Sequence, residues 1–219
     1  MWVKICGIRD VETALTAAEA GADAVGLNFY ENSPRVVTRP VAAKIVAELR
    51  APGRAVEPVG VFVNHPVEEI AGICEALQLR TIQLHGDEPP EQVAALTRDY
   101  QVIRAFRAGE EGLDATSKYL EACDRLQAIP WACLVDAKVE GSFGGTGKTV
   151  PWEMLRRQYR RADWPHLILA GGLTAGNIAE ATRVVGPWGV DVSSGVESSL
   201  ACKDAAMVRE FIQNARTSS

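Results

Sequence analysis

The chain has 219 residues, of which 47% are apolar and 23% charged, a balance that allows one domain with a sizeable core and excludes a disordered chain. A net charge of −5 without any block of basic residues argues against nucleic acid as a partner. No apolar run approaches the roughly 20 residues of a membrane span, and the opening Met1-Trp2-Val3-Lys4-Ile5-Cys6 lacks the layout of a secretory signal.

Short apolar runs alternate with longer helix-period segments. Val3–Ile8 reads as a strand and Val11–Ala20 as a helix; Ala24–Phe29 and Pro40–Leu49 repeat the pair. Val59–Val63 precedes a helical Pro66–Leu77, and Thr81–His85 precedes Pro89–Arg98. Then follow Val102–Phe106 with Ser117–Arg125, and Cys133–Ala137 with Trp152–Arg160. Leu167–Ala170 with Ala175–Val184 and Gly189–Ser193 with Lys203–Ala215 close the series. The runs are rich in Val, Ile and Leu and short enough for buried parallel strands. Helix starts are marked by Asp10 before Val11 and by Pro40, Pro66 and Pro89. Eight such units, joined by right-handed crossovers, could form an open doubly wound sheet or close into a barrel. The count favours a single-domain (β/α)₈ TIM barrel over residues 1–219.

In a closed barrel alternate strand residues face the interior. Val3, Ile5, Val25, Leu27, Phe29, Ile82, Leu84, Ile103, Cys133, Val135, Val190 and Val192 are expected to face the helices. Lys4, Cys6, Asn28, Gln83, His85, Arg104, Asp136, Asp191 and Ser193 are then inside. An apolar core alone does not place polar groups there, because unpaired buried polar groups cost free energy. Mutually paired side chains could account for Lys4, Arg104 and Gln83. Cys6, His85 and Asp136 fall at strand ends, where barrel enzymes keep their chemistry.

Three glycine-rich segments come late: Gly144-Gly145-Thr146-Gly147, Gly171-Gly172-Leu173 and Ser193-Ser194-Gly195-Val196-Glu197. The last two directly follow the seventh and eighth strands, where barrels bind phosphate through backbone amides; Gly171, Gly172, Ser193, Ser194 and Gly195 are the candidate cradle. Singly, each could be only a turn. Ser142-Phe143-Gly144-Gly145-Thr146-Gly147-Lys148-Thr149 nearly matches a P-loop, but serine replaces its first glycine and the preceding strand ends too far upstream. A lid formed by Gly144, Gly145, Thr146 and Gly147 suits that spacing better.

With these segments in place the chain resembles the phosphoribosylanthranilate isomerases of tryptophan biosynthesis. The resemblance rests on Lys4-Ile5-Cys6-Gly7-Ile8, Ser33-Pro34-Arg35, Gln83-Leu84-His85-Gly86, Asp136-Ala137, Gly144–Gly147, Leu169–Leu173 and Asp191–Glu197. It covers nearly the whole chain in order. Pro151 stands where an acidic residue often precedes the tryptophan, and Leu200-Ala201 replaces a common Pro-Gly.

The resemblance implies a (β/α)₈ enzyme that carries out an Amadori rearrangement of N-(5-phosphoribosyl)anthranilate, with Asp136 as general acid and Cys6 as general base. Cys6 is then expected to be partly thiolate, helped by Lys4. Asp136 must carry a proton when substrate binds, aided by burial or a neighbouring anion such as Asp191. Arg35 is expected to meet the anthranilate carboxylate through paired hydrogen bonds, with His85 and Asp191 also holding substrate. No metal or organic cofactor is expected. The partner is a small phosphorylated substrate rather than nucleic acid or membrane, and the chain is a monomer or homodimer.

A bifunctional phosphoribosyl isomerase needs paired aspartates and two phosphate sites, whereas here Cys6 ends the first strand. A non-catalytic phosphometabolite sensor would keep the glycine cradle but has no use for Cys6 and Asp136 together. His65 and His166 read as structural, and no histidine pair has metal spacing. The five cysteines are odd in number and lack CxxC or zinc-ligand spacing. Free thiols in a reducing cytoplasm are expected, with Cys74, Cys123, Cys133 and Cys202 as packing or surface residues.

Overall fold

The computed structural model describes residues 1–108, 112–136 and 150–217. Gly144, Gly145, Thr146 and Gly147, with Ala137 and the near-P-loop, lie outside the described residues. The chain alternates β1 (Trp2–Cys6), α1 (Val11–Glu19), β2 (Ala24–Asn28), α2 (Arg39–Leu49), β3 (Glu57–Phe62), α3 (Val67–Leu77), β4 (Thr81–Leu84) and α4 (Pro90–Leu96). It continues with β5 (Gln101–Arg107), α5 (Asp114–Arg125), β6 (Ala132–Asp136), α6 (Val150–Gln158), β7 (His166–Ala170), α7 (Ile178–Val185) and β8 (Gly189–Val192). A hairpin of β9 (Glu197–Ser199) and β10 (Cys202–Lys203) precedes α8 (Ala205–Thr217). The eight long strands are parallel neighbours in chain order, and β8 pairs with β1 to close a barrel.

Local chemistry sets several boundaries. Asp10 caps α1, its carboxylate accepting from Thr13 N at 2.7 Å. Prolines occupy the first turns of α2 and α4, where the missing N–H costs nothing. Gly186 ends α7 with φ of 60°, a left-handed cap open to glycine.

Two apolar layers follow from strand alternation. The outward set, including Val3, Ile5, Val25, Leu27, Ile82, Leu84, Val190 and Val192, packs under the helices. The inner set is Ala24, Val59, Ile103, Ala105, Ala132, Leu134, Ile168 and Ala170, with Trp2, Trp131 and Trp188 packed against it. At the N-terminal ends of the strands Trp2 stacks on Trp188 with centroids 5.3 Å apart, and His166 stacks on the same indole at 4.5 Å. This aromatic floor closes the barrel at the end away from the site.

The fifth strand reverses the expected facing. Ile103 points into the barrel, in register with Gln83, and Arg104 points out. An aliphatic side chain is at home in the packed layers of a barrel interior, so its apolar character does not send it outward. Arg104 Nη1 donates to the carbonyls of Leu84 (3.1 Å) and Ala105 (2.7 Å), and Nη2 donates to Gly86 O at 3.0 Å. Nε donates to Tyr119 Oη at 3.2 Å, and the buried Glu88 carboxylate lies 3.4 Å away. Arg104 therefore braces the loop after β4 instead of entering the cavity.

The hairpin also departs from the sequence reading, which starts the last helix at Lys203. Ala201, in its turn, has φ of 60°, a left-handed backbone that costs a non-glycine residue about 1 kcal/mol. The variant Ala201→Gly is expected to raise the melting temperature by about 2–4 °C. Thermal unfolding followed by circular dichroism checks this, and an unchanged or lower melting temperature contradicts it.

Candidate active site

The C-terminal ends of the strands surround a cavity of about 560 Å³. Cys6 enters it from β1, Asn28 from β2, Gln83 from β4 with His85 just beyond, Asp136 from β6 and Asp191 from β8. Arg35 comes from the loop after β2, Gly171 and Gly172 from the loop after β7, and Ser193, Ser194 and Gly195 from the loop after β8. Every candidate residue within the described stretches thus lines one cavity, brought together from six strand–loop units.

Lys4 lies fully buried beneath this cavity and donates to Asp191 Oδ1 at 2.7 Å. Burial opposes its charge, yet Asp191 and Cys6 together hold the ammonium above its ordinary pKa. For Cys6, burial pushes the thiol up; Lys4 draws it down, Asp191 pushes it up again, and the net change is a rise. Burial, with the Asp191 charge, outweighs the pull of Lys4, so the resting pocket does not favour the partly ionised thiol that the resemblance implies. Gly26, paired with Cys6 across β1 and β2, makes room for the sulfur. A Cβ there would stand 2.7 Å from Cys6 Sγ and 3.2 Å from Lys4 Cε.

Arg35 is more constrained than a solvated loop arginine. Its Nε and Nη2 each donate to a Glu197 carboxylate oxygen at 2.7 Å. The paired face assigned to a substrate carboxylate is taken up by Glu197, leaving the Nη1 side of the guanidinium. Glu197 also accepts from Lys203 Nζ at 2.7 Å, and that ammonium donates to Ser193 O at 3.0 Å. Although burial works against ionisation of Glu197, the hydrogen bonds from Arg35 and Lys203 lower its pKa to about 2. Ser193 Oγ in turn donates to Cys6 O at 3.1 Å, so this network ties the last loop to the first strand.

The loops after β7 and β8 are packed back to back. A Cβ on Gly195 would fall 1.8 Å from Leu173 O, so only glycine allows this approach. Asn177 clamps the first of these loops, accepting from Thr174 N at 2.8 Å and donating to Gly172 O at 2.9 Å. The two backbones form one wall of the cavity.

Glu197, Lys203 and Arg107 were not singled out from the sequence. Arg107 lines the cavity from the end of β5, on the same face as Ile103, so the reversed facing of that strand hides it from the sequence pattern. Glu197 and Lys203 face each other across the β9–β10 ladder; charges of opposite sign flanking a two-residue turn are the signal. Among the described residues no group of three or more His, Cys, Asp or Glu side chains could hold a metal ion.

A closed parallel barrel with a polar cavity at the C-terminal ends of its strands defines the class, that of the (β/α)₈-barrel enzymes. The family model described as N-(5'phosphoribosyl)anthranilate (PRA) isomerase matches residues 3–214. The chain belongs to this isomerase family. It is 44% identical to the N-(5'-phosphoribosyl)anthranilate isomerase of Trichlorobacter lovleyi over 98% of this chain and 97% of the relative. Phosphoribosyl anthranilate isomerase from Thermotoga maritima, solved by crystallography, matches with a TM-score of 0.85 at 38% identity, over 99% of both chains. A crystal structure of the same enzyme type with reduced 1-(o-carboxyphenylamino)-1-deoxyribulose 5-phosphate matches with a TM-score of 0.82 at 34% identity, again over 99% of both chains.

Proposed function

We propose that this chain converts N-(5'-phosphoribosyl)anthranilate to 1-(2-carboxyphenylamino)-1-deoxyribulose 5-phosphate by an Amadori rearrangement, using acid–base catalysis without a cofactor. The observation that carries the reading is the meeting of Cys6 and Asp136, 130 residues apart in sequence, in one cavity walled by the loops after β7 and β8. Asp136 gives a proton to the furanose ring oxygen, and the ring opens to a Schiff base. Cys6 takes the C2 proton, and the resulting enolamine tautomerises to the ketone. The positive charge of the protonated Schiff base acidifies C2–H and favours the thiolate at the step that needs it. Backbone amides of Gly171, Gly172, Ser193, Ser194 and Gly195 receive the phosphate, and the remaining Nη1 side of Arg35 meets the anthranilate carboxylate. His85 and Asp191 hold the ribose portion. The site would serve a cytoplasmic biosynthetic enzyme acting as a monomer or homodimer.

The test is turnover of fluorescent N-(5'-phosphoribosyl)anthranilate. Disappearance of its fluorescence with purified protein is the expected result; persistent fluorescence with tight binding of the phosphate ester points to the sensor instead.

The reaction needs Cys6 deprotonated and Asp136 protonated in the same molecule, so kcat/KM is expected to pass through a maximum and to fall on the alkaline side, with the raised pKa of Cys6 moving that fall upward in pH. The profile of kcat/KM reports groups of the free enzyme. A profile that keeps climbing through the alkaline range would contradict this pairing of acid and base.

A further inference from the structure

Gln83 is completely buried in β4, and its amide nitrogen lies 2.6 Å from Nδ1 of His85. Among the described residues its Oε1 is the buried side-chain polar atom that has no hydrogen-bond partner. The first of these facts sets the roles of the pair. An amide N–H can only donate, so Nδ1 must accept, and the single proton of a neutral imidazole is left on Nε2.

We infer that Gln83 is a positioning residue that holds His85 as the neutral Nε2–H tautomer, presenting a hydrogen-bond donor to an oxygen of the bound substrate. This deepens the proposed isomerase function and rests on that reading for the identity of the acceptor. The groups around the ring are Asp191 on β8, Lys4 on β1, Asp136 on β6 and Glu88 in the loop after β4. Burial outweighs them and holds the ring below its ordinary pKa. The imidazole therefore offers one N–H without adding a cation beside Lys4. Gln83 also lines the cavity, and its unpartnered Oε1 is an acceptor in reserve beside it.

The chain has three histidines, His65, His85 and His166, so long-range ¹H–¹⁵N spectra of the ¹⁵N-histidine-labelled protein are simple to assign with His85→Gln. At neutral pH His85 is expected to show a protonated Nε2 and a bare Nδ1. In Gln83→Glu a carboxylate replaces the donor, so the proton moves onto Nδ1 and kcat falls about tenfold, the value of one hydrogen bond. Proton on Nδ1 or a doubly protonated ring in the wild type overturns the inference, as does an unchanged His85 pattern in folded Gln83→Glu. If that variant fails to fold, the wild-type spectrum alone decides. Wild-type turnover separates the two readings: a protein with the expected tautomer but no isomerase activity would refute the function and leave the role of Gln83 standing.

Discussion

Replacing Asp136 with Asn is expected to lower kcat at least ~10²-fold with little change in KM, because the amide keeps the shape of the side chain but cannot release a proton to the ring oxygen. Asp136 ends β6 and lines the same cavity as Cys6, so the substitution removes the proposed acid without disturbing the barrel core. Cys6→Ala is expected to produce a loss of the same order through the other half of the reaction. The two groups serve one proton traffic, and the double variant should fall well short of the product of the single losses. Steady-state kinetics with the fluorescent substrate measures all three. Near-normal turnover in either single variant would remove that residue from its role.

The largest expected effect on stability lies at the Lys4–Asp191 pair. Lys4 has no exposed side-chain surface and Asp191 has 9%. Asp191→Ala leaves a buried ammonium without its carboxylate and is expected to cost about 3–5 kcal/mol. That corresponds to a fall of roughly 6–20 °C in melting temperature for a chain of this size. The double variant Lys4→Met with Asp191→Leu exchanges the pair for apolar groups of similar volume and should recover most of the stability. Activity should stay low, since Asp191 lines the cavity. Denaturant unfolding of the single and double variants tests this; an Asp191→Ala protein as stable as the wild type would mean that Lys4 finds water or another partner.

The eight strands were legible in the chain because each is a short aliphatic run between turn signals, and the alternation of β1, β2, β4, β6 and β8 came through as well. Polar residues at Lys4, Asn28, Gln83, Asp136 and Asp191 fall on the interior face in each of those strands. The fifth strand failed because both faces of a barrel strand are buried in apolar surroundings. Ile103 fits inside as readily as outside, and in the run Val102–Phe106 the pattern points to Arg104, its one charged residue, as the interior one. Arg104 is satisfied instead by carbonyls and by the buried carboxylate of Glu88, partners invisible in the local pattern. The Arg35–Glu197–Lys203 network was unreadable for a related reason. Arg35 and Glu197 are 162 residues apart in sequence, and the contact exists only because the barrel closes. A pattern can tell which face a residue takes; it does not tell which distant charge arrives there first.

The aromatic floor has a practical consequence for optical work on this protein. Three of its five tryptophans, Trp2, Trp131 and Trp188, pack together at the far end of the barrel. Trp152 and Trp164 belong to the outer shell against the helical core. None of the five is among the residues that line the cavity. Intrinsic emission of the indoles should thus report loss of the native barrel with high contrast while responding little to occupancy of the mouth, which makes it a clean unfolding signal and a poor binding signal.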